Sequence, residues 1–185
     1  NKKMTGGVAI GQVLRLNDDP GFTSSSGLEK KQSDIFLAAE LSLPYASYIS
    51  FQGLLGSNFK TKKTDFNAGF DYKTLYLDTK YSFLQADSEE HRLNPIEEWT
   101  ISAGHKLNYN WDVKSNLRYD QTESHLASLG AGLAYENQCV LVNLEMDRRY
   151  SLEGTSPPTT NFSFAISLKG FSTSKMTAIS EKSCK

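Results

Sequence analysis

From residue 34 to residue 169 this chain switches between apolar and polar side chains almost one by one, the period of a strand whose two faces meet different surroundings. Ile35, Leu37, Ala39, Leu41 and Leu43 oppose Asp34, Glu40 and Ser42. Phe66, Ala68, Phe70 and Tyr72 oppose Asp65, Asn67, Gly69 and Asp71; Trp99, Ile101, Ala103 and Leu107 oppose Glu98, Thr100, Ser102 and Lys106. The pattern continues with Trp111, Val113, Leu117 and Tyr119 against Asp112, Lys114, Asn116 and Arg118. Val140, Val142, Leu144 and Met146 face away from Asn143, Glu145, Asp147 and Arg149, and Phe162, Phe164, Ile166 and Leu168 from Ser163, Ser167 and Lys169. Weaker runs at 7–16, 46–55, 75–86 and 125–136 bring the expectation to ten strands, with almost no window that reads as helix.

The connectors alternate in length. Longer or polar segments at 17–33, 56–63, 86–96, 120–124 and 151–160 take turns with tight ones at 43–45, 73–75, 108–110 and 136–138. This predicts an all-β, antiparallel up-and-down meander with two unlike ends, as in outer-membrane barrels, which have short periplasmic turns and longer external loops. Strands of about ten residues also suit a tilted crossing of a bilayer. Aromatics gather toward both strand ends: Tyr45, Tyr48, Tyr72, Tyr76, Tyr109, Trp111, Tyr135 and Phe171 at the short-turn end, and Phe66, Phe83, Trp99, Tyr119, Tyr150 and Phe162 at the other. Rings at two levels fit the two headgroup layers of a membrane, whereas a sandwich core would hold them mid-strand.

Composition narrows the function classes. A net charge of −1, from 20 basic and 21 acidic residues, offers no basic face to nucleic acid. The longest apolar run, Ile35 to Ala39, is far short of the roughly 18 residues a membrane helix needs. The opening Asn1-Lys2-Lys3-Met4 carries no apolar signal stretch, which leaves open a piece cut from a longer exported chain. His91, His105 and His125 share no metal-ligand spacing, and two cysteines are too few for a zinc site. Ser172-Thr173-Ser174-Lys175 has a serine–lysine spacing known from penicillin-binding enzymes, without their other elements. Asn161-Phe162-Ser163 fits a glycosylation acceptor by chance, and Gly130-Ala131-Gly132 lacks the helix a phosphate loop requires. No catalytic, cofactor-binding or metal constellation is expected. Charges of both signs on the polar faces can neutralise one another across strands, or they can line a hydrated interior.

The segments "GQVLRLNDDPGFTSSSGLEKKQSDIFLAAELS", "LGAGLAYENQCVLVNLEMDRRY" and "PPTTNFSFAISLKGF" resemble the C-terminal part of the lipopolysaccharide-assembly family LptD, of alphaproteobacterial type. The likeness runs in order from about Gly7 to Phe171. Its most specific part is Tyr135, Glu136 and Cys139 at a turn, then Arg148, Arg149 and Tyr150, Pro157 and Thr159, and a last strand ending in Leu168, Lys169, Gly170 and Phe171. The resemblance implies an outer-membrane protein of Gram-negative bacteria and no enzyme: residues 1–171 as the last strands of a large barrel, 172–185 as a polar tail. It implies lipopolysaccharide as cargo, a lipoprotein plug in the lumen and periplasmic bridge proteins as partners. Phe162, Phe164, Ile166, Leu168 and Phe171 would then form one lip of a lateral seam. Asn143, Glu145, Asp147, Arg149, Asp112, Lys114 and Arg118 would face the lumen. Cys139 would match the family cysteine that bridges to an N-terminal domain, although Gln138 stands where some relatives have a second cysteine and Cys184 adds another candidate partner. Two other readings stay open. One is a complete ten-stranded barrel acting as a pore or surface hydrolase, with His91, Asp87, Glu89 and Glu90 as its only candidate site. The other is a soluble β-sandwich.

Overall fold

The computed structural model describes residues 4–16, 21–151 and 157–169. It holds ten strands: β1 (Thr5–Gly11), β2 (Ile35–Leu43), β3 (Ser47–Leu55), β4 (Thr61–Tyr72), β5 (Leu75–Leu84), β6 (Ile96–Lys106), β7 (Trp111–Asp120), β8 (His125–Glu136), β9 (Val140–Arg149) and β10 (Thr159–Leu168). Each pairs antiparallel with its sequence neighbours, in the spatial order β1 to β10, and a 3-10 turn lies at Ser24–Ser26. β1 and β10 do not pair with each other, so the sheet has two edges.

Local chemistry explains the short turns. The side-chain oxygen of Asn108 accepts the backbone N–H groups of Asn110 and Trp111, and that of Asn137 accepts those of Cys139 and Val140. Asn is a turn residue because its short amide can stand in for the backbone in this way. Tyr45 and Ala46, between β2 and β3, both take the left-handed conformation, with φ of 62° and 50°. Such φ values are unfavourable for residues with a Cβ, and Tyr45 is braced there by an edge-on contact with Tyr72, with ring centroids 5.0 Å apart.

The expectation of a first strand at 7–16 needs correction. β1 ends at Gly11; beyond it the chain keeps only an irregular antiparallel ribbon, with Leu14 bridging Gln32, Arg15 N–H on Lys31 O and Ser33 N–H on Val13 O. The apolar pairs at 13–14 and 16 tempted a strand reading, but Leu14 and Leu16 are exposed.

This sheet is one layer thick and encloses nothing dry. Among the described residues Ala127 is the only buried hydrophobic one, and no large side chain is fully buried. A sandwich of this size would bury a shared core between two sheets. Here Ile101 and Leu144, away from the two edge strands, stand open, as they would on a face turned to lipid. The cost of wetting apolar surface is about 25 cal/mol per Å², which a bilayer removes. If so, Leu144→Arg in the full-length protein is expected to cost roughly 2–4 kcal/mol of folding stability in lipid vesicles, against near zero for Asn143→Arg on the opposite face. Equal losses, measured by denaturant titration, would contradict this facing.

Candidate functional site

Because directly paired residues share a face, the register sorts the whole wall. On the apolar side Phe51, Phe66, Tyr81, Trp99 and Tyr119 stand in one row across five successive strands, β3 to β7. Tyr81 and Trp99 are in ring contact at 4.9 Å. Toward the short turns Trp111 meets Tyr135 at 5.0 Å, giving a second aromatic level. Between these levels the face is aliphatic or small: Leu117 pairs with Ile101 and Leu129, and Leu144 with Leu133 and Phe164. Ionisable groups on this face occur near the strand ends, at Glu97 and Arg148 by the long loops and His105 by the short turns.

The opposite face is polar. One row runs Glu40, Ser50, Asn67, Lys80, Thr100, Arg118, Ser128, Arg149 and Thr159, from β2 to β10. The next row toward the short turns runs Tyr48, Gly69, Asp78, Ser102, Asn116, Gly130, Asp147 and Asn161. Asn143, Glu145, Asp147 and Arg149 of β9 and Asp112, Lys114 and Arg118 of β7 therefore lie on one side of the sheet. Elsewhere on this face Asn67 donates to Ser50 at 3.2 Å and Ser82 to Asp65 at 2.9 Å, with Lys63 paired to Asp65 at 3.4 Å.

Two tyrosines counted with the short-turn aromatic level belong to this polar face instead. Tyr48 lies across Gly69 and donates its hydroxyl to Asp78; Tyr76 lies across Gly104. Neither glycine leaves room for a Cβ beneath the ring, so the glycines act as notches that let a long side chain lie flat on the wall. The signal was present in the sequence: each tyrosine is one residue out of phase with the apolar set of its strand, Ile49 and Phe51 or Leu75 and Leu77.

Along β10, Phe162, Phe164, Ile166 and Leu168 share the apolar face and are 73, 64, 58 and 54% exposed, since no strand covers the outer side of this edge. Phe171 and residues 172–175 lie outside the described residues. Cys139 occupies the tight turn between β8 and β9, where its carbonyl receives the N–H of Lys169. The Lys169 ammonium reaches Glu136 beside it, so the end of β10 is tied to the β8–β9 turn. No described cysteine is a free thiol, and Cys184 lies outside the described residues.

At the other end lies a loop latch that no local pattern announces. The segment after β1 folds over the β3–β4 loop and meets the β5–β6 loop. Ser25 N–H donates to Asp87 at 2.9 Å, and the hydroxyls of Thr23 and Ser25 donate to Glu90 at 2.6 Å each. Lys62 binds Ser24 O at 2.6 Å and pairs with Asp34 at 2.7 Å beneath the same loop. Asp87 is 4% exposed and also accepts Glu89 N–H, while Arg92 clamps Glu90 at 2.7 Å. Asp87 and Glu90, two carboxylates of the candidate hydrolase group, are thus engaged in holding loops together. His91 is exposed on a left-handed turn, and His105 and His125 sit on separate strands.

A family model described as LPS transport system D matches residues 2–111 of the chain. No curated protein matches it.

The latch has a definite pH dependence. Burial pushes Asp87 upward, but the backbone N–H groups of Ser25 and Glu89 outweigh it and hold the carboxyl below its ordinary range. Glu90 is lowered by the hydroxyls of Ser25 and Thr23 and by Arg92. A carboxylate with a depressed folded pKa contributes stability above its unfolded value and loses it as the pH falls through the folded one. Hydrogen-exchange protection of amides 23–34 should therefore persist from neutral pH down to about pH 4 and vanish only below it. Glu90→Gln should lower that protection several-fold at neutral pH; unchanged protection there, or loss near pH 6, would contradict the latch.

Proposed function

The chain belongs to the LptD family, matched over more than half its length, and from that membership we propose that its ten strands are the closing segment of a larger barrel whose last strand, β10, forms one lip of a lateral seam. The family's place is the outer membrane and its task is lipopolysaccharide transport. What supports the finer reading is the wall itself, apolar on one face and polar and charged on the other from β2 to β10. A molecule with a sugar head and acyl tails needs both solvents at once, and a parting between two strands gives it a route from one to the other. Phe162, Phe164, Ile166 and Leu168 would meet the acyl chains as they leave. Asn143, Glu145, Asp147, Arg149, Asp112, Lys114 and Arg118 would line the lumen. The resemblance to the family supplies a lipoprotein plug and periplasmic bridge proteins as partners, and the energy for transport would come from elsewhere in the pathway.

A cysteine placed at Ser163 and oxidised onto a cysteine in the barrel's first strand tests the seam. Lipopolysaccharide arrival at the cell surface is expected to stop when the bond forms and resume on reduction. Export that continues with the strands stapled would exclude the seam.

With long loops outside, the turn that carries Cys139 faces the periplasm, where disulfides form. We propose that Cys139 bridges to a periplasmic N-terminal domain and so reports that barrel and domain have assembled. Non-reducing mass spectrometry of the full-length protein is expected to find Cys139 joined to a cysteine of that domain; a free Cys139 thiol, or a Cys139–Cys184 bridge alone, would exclude the tether.

A further inference from the structure

We propose that Arg149 and Arg148, adjacent residues on opposite faces of β9, form a two-sided phosphate contact that carries a phosphorylated sugar head around the outer end of the seam. The inference rests on the seam reading above. Successive residues of a strand point to opposite faces, so Arg149 belongs to the polar side and Arg148 to the apolar side. Both stand at the long-loop end, one strand from the edge. Their partners on β10 are the short Thr159 and Thr160. Both arginines are exposed, and none of the ion pairs among the described residues uses them.

On the polar side Arg149 and Arg118 line a cleft of about 340 Å³ together with Thr100, Asn116, Ser128 and the Asp147 carboxylate. Lys80 continues the same transverse row. The three cations sit on alternate strands, about 10 Å apart, with the hydroxyl residues Thr100 and Ser128 between them. The rows on either side carry carboxylates: Asp65, Glu98 and Asp120 toward the long loops, Asp78 and Asp147 toward the short turns. Repulsion from both flanks would confine an anion to the basic row, which leads to β10. On the outer surface Arg148 stands 5.3 Å over the ring of Tyr150, a cation–π contact that holds it at headgroup level. A guanidinium offers paired N–H groups that match phosphate, and the sugars nearest the lipid in lipopolysaccharide are phosphorylated. A head that loses Arg149 at the rim of the lumen would meet Arg148 on the outside.

The test uses the full-length protein in its native membrane, with a photo-crosslinking residue in place of Thr160, of Thr159 or, as a control deeper on the polar face, of Asn143. Lipopolysaccharide adducts are expected at all three. Arg149→Gln should cut the adduct at position 160 by at least about fivefold, the scale of one lost charge-assisted hydrogen bond, and leave that at 143. Arg149→Lys, which keeps the charge, should restore part of it, and heat-modifiable gel mobility checks folding of each variant. In cells whose lipopolysaccharide lacks the lipid-proximal phosphates, the dependence on Arg149 should disappear. Adducts at 160 that survive both Arg148→Gln and Arg149→Gln, or a dependence that persists without phosphate, would overturn the arginine contact and leave the conduit standing. Absence of adducts at 143 and 159 in the otherwise unaltered protein would overturn the conduit reading and this inference with it.

Discussion

A wall one chain thick has to satisfy every backbone donor and acceptor in its own plane. In oil, an unpaired N–H or C=O has no water to turn to, so strands that cross a membrane must run as a continuous ladder. The ten-strand ladder does this from β1 to β10, with two irregular steps, at Leu54/Leu55 and Arg118/Tyr119. Everything else follows from that ladder. It fixes which side chains share a face, and it makes burial between protein layers unnecessary. That is why a chain with 38% hydrophobic residues has almost no buried hydrophobic side chain among its described residues.

The two faces are held to different rules. On the apolar side, ionisable groups appear near the ends of the strands, where a headgroup region would meet them. On the polar side charge is arranged in transverse rows, and bulk is managed by notches: Gly69 and Gly104 let Tyr48 and Tyr76 lie down instead of projecting into the interior. Gly130, also on this side, lies beneath Asn116 and Asp147. A surface built this way is polar and charged in bands. The loops at the long end are latched, since the segment after β1 is bonded across to the β5–β6 loop.

Much of this was legible in the chain before any coordinates. The phase of each strand could be read from residues such as Leu37, Ile101, Val142 and Phe164, because a period of two is local and survives any error in register. Turn positions could be read from Asn108 and Asn137. Phase also assigns Tyr48 and Tyr76 to the polar face, against their nearness to the turns. The misplaced end of β1 is of another kind: Val13, Leu14 and Leu16 carry strand propensity, yet the chain there has only the irregular partners Lys31, Gln32 and Ser33, and an isolated ribbon is weakly held.

Alternation alone determined that this chain forms strands, how many, which side of each is apolar and which end is looped. Those properties depend on neighbours one or two residues away. The tertiary structure decided what no local pattern encodes: that Lys80, Arg118 and Arg149 fall on one line, and that Ser25 reaches Asp87 across 62 positions of sequence. Register and loop docking join residues far apart along the chain, and a slip of one residue in a single hairpin would send each row to the other face. Their placement is therefore a property of the assembled sheet.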